Sequence, residues 1–435
     1  MKQVSVIIST YTADVSGVCS ALYELGGMVV IHDPSGCNST YNTHDEPRWY
    51  EQDSLVFISG LSEMDAIMGN DDKFIDDVIR AAKDLHPRFI ALVRSPIPMM
   101  IGTDFDAIRE IVEQETGIPT LYFPTNGMHS YVQGAGMALE AVAQHMVADL
   151  RKAGEGQSDG KKTLHSSINL LGVTPLDFSI NSTLASLRAL LEGHGYEIIS
   201  TFAMGSSPEN MARAGEADLN VVVSSVGLPA AKTLRERFGT PYVVGLPVAP
   251  FSEKMFSDME ESLKDGACRV SCKGDAEMVE SQGQMGDAAE AAVPSAIREA
   301  AATPGTDQAD RTTAPLYLIG EAVISQSLAA AMRRRYGVPV CVLCPLETEE
   351  ELLDRRDGRC VFVESEEEIA WAVRNGRGII ADPMYQPVCP EDVPFFPLPH
   401  EAFSGRIYRK QIPDLTDIGF LDAWAAGTLH LQKGR

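Results

Sequence analysis

One short pattern recurs three times along the chain. A helical stretch ends in glycine, one residue intervenes, proline follows, and an apolar strand begins. The copies are Gly117-Ile118-Pro119, Gly239-Thr240-Pro241 and Gly337-Val338-Pro339. Glycine suits the left-handed position just past a helix end, and a proline soon after keeps the helix from continuing. The apolar strands that follow are residues 120–123, 242–244 and 340–343. Three copies of one joint at wide spacing predict three α/β units, each a parallel sheet flanked by helices. The 435 residues are enough for about two to four domains with real cores.

Taken in order, residues 1–150 form the first unit, with strands expected at 4–8, 28–31, 55–58, 89–93 and 121–123. Helical patterns fall at 14–25, 72–85 and 104–115. The last helix of this unit carries Tyr131, Ala135, Leu139, Val142, Met146 and Leu150 on one face, at spacings of three or four. The second unit spans 163–270. Its first strand, 168–173, leads to a helix with Asp177 as expected N-cap and Gly193 past its end. Residues 274–313 are rich in Ala, Gly, Glu, Asp, Gln, Ser and Thr. They read as a linker or flexible insertion, with transient helix over 288–301. The third unit, 314–435, has strands near Val340, Val361 and Ile379 and a terminal helix over 415–431. The acidic run 364–368 reads as a solvated helix start, where negative charge suits the dipole.

The stretch 26–48 concentrates the chemistry. Met28, Val29, Val30 and Ile31 form a short apolar strand, and Asp33, Pro34, Ser35 and Gly36 form a turn cluster. Cys37 follows. In a parallel sheet, the loop after a strand's carboxyl end is where ligands bind, and a cysteine there can present a thiolate to a metal. A buried free cysteine is the alternative. Other constellations are weaker. Cys341 and Cys344 have CxxC spacing, but on a strand they face opposite ways. Cys268 and Cys272 would approach each other on a helix. No glycine-rich dinucleotide fingerprint or P-loop is present.

Lys and Arg number 36 against 61 Asp and Glu, a net charge of −25. That argues against nucleic acid and anionic membrane as partners and suits a basic protein surface. No run of about 18 apolar residues predicts a membrane span. The N-terminus lacks the pattern of a secretory signal, so the eight cysteines read as reduced thiols or metal ligands in the cytoplasm.

The segment His32 to Cys37 resembles the "histidine, glycine, two variable residues, glycine, cysteine" segment of the nitrogenase component 1 family, with Asp33 where the first glycine usually stands. Residues 59–73, 126–134, 205–223 and 398–406 are similar to further segments of that family in the same order. The resemblance covers nearly everything except 274–313. It implies three Rossmann-like domains and an iron–sulfur cluster at a subunit interface, fed by an ATP-dependent iron–sulfur reductase. It makes Cys37 a ligand and Cys19 the candidate for the family's first cysteine. Ser95 stands where the family has a third cysteine before proline, and serine is a poor iron ligand, which argues against an eight-iron cluster. A [4Fe–4S] cluster held by Cys37 and Cys19 from each of two subunits is then expected, with Asp33 as an alternative oxygen ligand. The chain is accordingly expected to be a homodimer, or a heterodimer with a related subunit, with the Cys37 loops facing each other. The family's cofactor cysteine has no counterpart in 221–227, and His400 sits near the family's histidine position. This puts dinitrogen reduction in doubt. The resemblance instead suggests an organic substrate between domains, as in dark-operative protochlorophyllide reductases, with His400 and His129 as its polar contacts. A non-catalytic scaffold or carrier for a metal cluster or tetrapyrrole is the competing expectation.

Overall fold

The computed structural model describes residues 6–8, 12–34, 36, 38, 46–148, 166–273, 314–356, 359–417 and 419–426. The first sheet holds β1 (Met28–His32), β2 (Leu55–Ile58), β3 (Ile90–Arg94) and β4 (Thr120–Phe123), in the order β2-β1-β3-β4. The second holds β5 (Ser166–Val173), β6 (Tyr196–Ala203), β7 (Leu219–Val222), β8 (Tyr242–Val244) and β9 (Arg269–Val270), in the order β6-β5-β7-β8-β9. The third holds β10 (Leu316–Ile319), β11 (Val340–Cys344), β12 (Cys360–Phe362), β13 (Gly378–Ala381) and β14 (Phe395–Pro397), in the order β12-β11-β10-β13-β14. Every pairing is parallel. The central strands are apolar and buried on both faces, as parallel sheets covered by helices require.

The three Gly-x-Pro joints are built alike. Gly117, Gly239 and Gly337 have φ of 68°, 77° and 65°, and each amide donates to a carbonyl four residues back. A side chain at that φ would be strained, which is why glycine ends these helices. The proline carbonyls then each accept an amide at the start of a neighbouring strand, from its first or second residue: Ile90 to Pro119, Asn220 to Pro241 and Leu316 to Pro339, all at 2.9 Å. One joint therefore ends a helix and sets the register of the next strand.

Helix Tyr131–His145 ties the units together. A Cβ at Gly134 would overlap the Asp14 carbonyl, and one at Gly17 would overlap the Tyr131 carbonyl, so the helices Asp14–Leu22 and Tyr131–His145 cross backbone to backbone. On another side of the same helix, Gly136 lies against Pro229 of the second unit.

Several expectations are corrected. Residues 6–8 form no strand of the first sheet. Their three amides point at the Glu366 carboxylate, at 2.9–3.1 Å, and Ile8 packs into the core of the third unit. Glu366 is thus a buried anchor at a helix start rather than a solvated residue. Asp177 is not an N-cap: Thr174 caps the short helix Pro175–Phe178, and Asp177 lies inside it. The next helix, Thr183–Gly193, includes Gly193 as its last residue. The terminal helix begins at Phe420 rather than at 415, because residues 415–417 form a turn; its expected end, 427–431, lies outside the described residues. Segment 274–313 lies outside the described residues.

Gly134→Ala should destabilise the chain by about 1–3 kcal/mol or more, since the new methyl meets backbone that cannot rotate away. Urea unfolding of the variant against wild type measures it.

Candidate metal centre and interdomain cavity

Each sheet reverses its strand order once, and such a switch point opens a crevice beyond the strands' carboxyl ends. In the first sheet it lies between β1 and β3. His32 pairs with Arg94 in register, which sets Asp33 and Ser95 side by side just beyond. His32 turns to one face of the sheet and stacks on Phe74 at 4.0 Å between ring centroids. Its Nδ1 meets Ser59 Oγ at 2.8 Å, and burial lowers its pKa to about 4, so it is a neutral core residue. Asp33 takes the opposite face by strand alternation. Its Oδ2 accepts the Asn38 amide at 3.2 Å. Its Oδ1 and Ser95 Oγ are buried without a hydrogen-bond partner among the described residues. A buried polar atom left unpaired costs about 1–3 kcal/mol, a deficit that a bound metal centre would remove.

The surroundings of this edge are apolar and open. Helix Glu63–Met68 buries none of its residues. Its Met64, Ile67 and Met68, with Met100 and Ile101 on the helix Pro96–Ile101 after β3 and Met128 on the loop after β4, are exposed.

Cys37 lies outside the described residues. Cys19 is completely buried in the apolar core, and burial followed by the charge of Glu46 holds its thiol well above the ordinary range. As placed, it is a core thiol on the helix Asp14–Leu22. Arg48, at the end of the 26–48 stretch, is the anchor that sequence reasoning missed. Its guanidinium reaches Glu46 Oε1 at 2.6 Å, Glu24 Oε1 at 2.7 Å and the Ser20 carbonyl at 2.7 Å, and lies over the Tyr23 ring. Glu24 Oε2 also accepts the Gly205 amide at 3.0 Å, which fastens the loop to the second unit.

The second and third sheets turn their switch points toward each other. Asp177 follows β5, Ser225 follows β7, Glu321 follows β10 and Asp382 follows β13. Between them lies a cavity of about 50 Å³, lined by Asp177, Glu321, Asp382, His400, Leu318 and Phe403 among others. Both His400 ring nitrogens lack a hydrogen-bond partner, and Nε2 lies 3.7 Å from Asp177 Oδ1. Burial lowers the His400 pKa to about 4. Tyr131 from the first unit donates to Asp177 Oδ1 at 2.5 Å. His129 is not in this cavity. Its Nδ1 pairs with Glu347 Oε1 at 2.7 Å, half-exposed, between the first and third units. The two expected substrate contacts are therefore not brought together. Asp177, Glu321 and Tyr131 were missed as site residues; the legible signal was a carboxylate soon after an apolar strand's carboxyl end.

The remaining thiols form no metal site among the described residues. Cys268 is exposed and Cys272 buried, on either side of the strand Arg269–Val270 rather than on one helix turn. Cys344 is fully buried, whereas Cys341 is partly exposed, as opposite faces of β11 require.

Three parallel α/β domains, with one open sheet edge and two closed upon each other, define the class of protein to which comparison can be made. The chain belongs to the nitrogenase component 1 type oxidoreductase family, whose model matches residues 16–289. It is 27% identical over 217 residues to a chain of the light-independent protochlorophyllide reductase of Nostoc punctiforme, covering 49% of this chain and 42% of that one. It is 23% identical over 246 residues to the nitrogenase molybdenum-iron protein alpha chain of Methanosarcina barkeri, covering 54% and 44%. A third relative is the nitrogenase iron-molybdenum cofactor biosynthesis protein NifE of the same organism, 23% identical over 222 residues, covering 49% and 46%. The matched stretch thus spans less than half the length of each of these relatives. The solved structure described as nitrogenase Cp1 at pH 5 has the same fold, with a TM-score of 0.58 and 15% identity, over 98% of this chain and 91% of that one. No helix among the described residues is long and apolar enough to cross a membrane.

Arg48→Ala should cost about 3–5 kcal/mol, because it removes the guanidinium that neutralises the buried Glu46 carboxylate. Arg48→Lys should recover only part of this, since an ammonium cannot fork across three partners. Chemical denaturation of both variants checks the order.

Proposed function

We propose that the chain is a nitrogenase-like oxidoreductase component that takes electrons from an ATP-dependent iron–sulfur reductase and reduces a substrate other than dinitrogen. The observation that carries this reading is the pair of buried, unpartnered oxygens, Asp33 Oδ1 and Ser95 Oγ, at the first sheet's switch point beside the segment that carries Cys37. Cys37 and Asp33 from each of two subunits would hold a [4Fe–4S] cluster, with Cys19 left in the core. Such a cluster supplies one-electron transfer when bound. Asp33 would contribute a carboxylate where the relatives' motif has a glycine, and Ser95 would hydrogen-bond to the centre rather than ligate it.

Dimerisation fits the same edge. Six exposed methionine and isoleucine side chains ring it, and a two-fold axis through the ring would bury them and double the ligand set. The partner is a second copy or a related subunit. The sheet end after β7 reads Val223-Ser224-Ser225-Val226-Gly227, without a thiolate for a nitrogen-reducing cofactor. Substrate would enter between the second and third units, beside His400.

The second reading is a scaffold or carrier. It is favoured by the cavity, whose volume of about 50 Å³ is far below the roughly 300–1,000 Å³ of typical ligand pockets. Catalysis on an organic macrocycle in this cavity requires those units to part; a scaffold for a metal cluster at the first sheet's edge does not.

Anaerobically purified chain should contain iron and acid-labile sulfide, with an absorption band that bleaches when an iron-protein-type reductase and ATP are added. Iron without bleaching favours a cluster carrier, and no iron removes the oxidoreductase reading and leaves only a tetrapyrrole carrier. Cys37→Ala should lose the iron, Asp33→Ala should lose most of it, and Ser95→Cys should retain or raise it. Sedimentation should show the iron-loaded dimer dissociating after chelation, because metal held by two chains shares its binding energy with assembly. A monomer with a full complement of iron would rule out the shared centre.

A further inference from the structure

We propose that Asp177 is the proton-bearing member of the buried carboxyl pair and the proton donor to the interdomain cavity, with His400 as first acceptor. Asp177 and Glu321 both line that cavity, and both are almost wholly buried. Their partners differ in kind. Glu321 caps the helix Ala322–Tyr336 and accepts the amides of Ser225 at 2.9 Å, Val323 at 3.1 Å and Ile324 at 2.8 Å, together with the Ser225 hydroxyl. Amides only donate, so this cradle requires an acceptor and suits a carboxylate.

Asp177 is held by hydroxyls instead: Tyr131 at 2.5 Å on Oδ1 and Thr174 at 2.9 Å on Oδ2. A hydroxyl donates or accepts according to its rotation, so this site takes a neutral acid as readily as an anion. Two anions in one dry junction repel strongly, and the relief is a proton on the member whose partners allow it. Burial, followed by the charge of Glu321, pushes Asp177 up to about 7.

The other ionisable groups facing Asp177 do not neutralise it. Tyr131 is a buried phenol raised well above its usual range by burial and by Asp177. Glu401, packed nearby through Ser179, is engaged by Arg409 at 2.6 Å. Asp382 accepts the His400 amide at 2.8 Å and the Ser404 hydroxyl at 2.6 Å. His400 faces Asp177 with Nε2 at 3.7 Å and no partner on either ring nitrogen, a gap that closes by a small rotation or one water.

In the step, the Asp177 O–H bond breaks and the proton passes to His400 Nε2, leaving a carboxylate and an imidazolium whose mutual attraction at this distance opposes the burial that otherwise keeps His400 neutral. Tyr131 and Thr174 then both donate to the carboxylate. His400 hands the proton to whatever is reduced in the cavity, and Asp177 is reprotonated from solvent between turnovers. The use of this proton rests on the reductive role proposed above; its location does not.

Infrared difference spectra of the purified chain, wild type minus Asp177→Asn, test the location. At about pH 6, below the Asp177 midpoint, they should show the carbonyl stretch of a neutral carboxylic acid, shifting in heavy water. Nuclear magnetic resonance of histidine-labelled chain, assigned with His400→Gln, tests the acceptor. His400 ring signals should move with a midpoint at about 7 in wild type and lose that step in Asp177→Asn. Absence of the band overturns the proton assignment, and an unchanged His400 step in Asp177→Asn overturns the transfer. If Asp177→Asn does not fold, Thr174→Val serves. It removes a donor to the carboxylate, so the midpoint should rise, and an unmoved midpoint overturns the hydroxyl argument. Failure of the reductive reading would look different: both signals intact, with no reductase-driven bleaching.

Discussion

The helix Tyr131–His145 is the member on which the rest of the structure depends. Its Gly134 lets the Asp14 carbonyl approach to a distance that no side chain would allow. That crossing brings Asp14 to the loop before the helix, where its carboxylate accepts the amides of Asn126 at 2.9 Å and Gly127 at 2.8 Å. Ser130, at the helix start, donates its amide to Glu347 of the third unit. Tyr131, one residue on, reaches Asp177 of the second. Gly136 accepts Pro229, and Arg237 returns to the Val147 carbonyl at 3.1 Å. A single helix thus touches all three units, each through a different side. A domain motion that opened the cavity would have to break the Tyr131 contact or carry this helix with it.

The same comparison of donors explains why buried acids behave differently here. Asp14 and Glu321 each accept three backbone amides, which are fixed by the chain and cannot reverse. Burial raises both, and those amides oppose it. Asp177 lacks backbone donors from its neighbours, and its hydroxyl partners are adaptable. A position held by amides fixes a charge, whereas one held by hydroxyls allows a change of charge without rearranging the backbone.

Much of the architecture is legible in the sequence because it is written locally. Each Gly-x-Pro joint carries its own geometry: a left-handed glycine, a proline that cannot extend the helix, and a carbonyl offered to the next strand. The family resemblance ordered these joints into three domains. What failed was non-local. Residues 6–8 look like an edge strand of the first sheet, but their partner is Glu366, about 360 residues away. Glu366 itself lies in an acidic run whose composition suggests solvent. Asp177 has the composition of a cap, yet Thr174 one strand-end earlier takes that role, and the aspartate is freed to meet a tyrosine from another domain. His129 and His400 share a residue type but not a site, since the helix start between them points them to different neighbours. Of the candidate metal residues, Asp33 could be placed from strand alternation alone, whereas the core position of Cys19 depends on how two glycine-bearing helices cross.

The two switch-point regions are built on opposite principles. In the second and third units the carboxyl edges face each other, so that each covers the other's loops, and the carboxylates left inside are hydrogen-bonded while the His400 ring is not. Among the described residues, the first unit's carboxyl edge has no such cover. Its short helices and loops carry exposed methionine and isoleucine side chains above two buried oxygens without partners among the described residues. An isolated parallel sheet gains nothing from leaving apolar side chains in water over an unsatisfied carboxylate, since both terms oppose stability. The arrangement becomes favourable when one further surface supplies apolar contact at the rim and a ligand for the oxygens at the centre. A closed edge suits chemistry that must exclude water, and an open one suits a centre shared between chains. The proposed proton site and the proposed electron site would then lie apart within one chain, with the helix Tyr131–His145 between them.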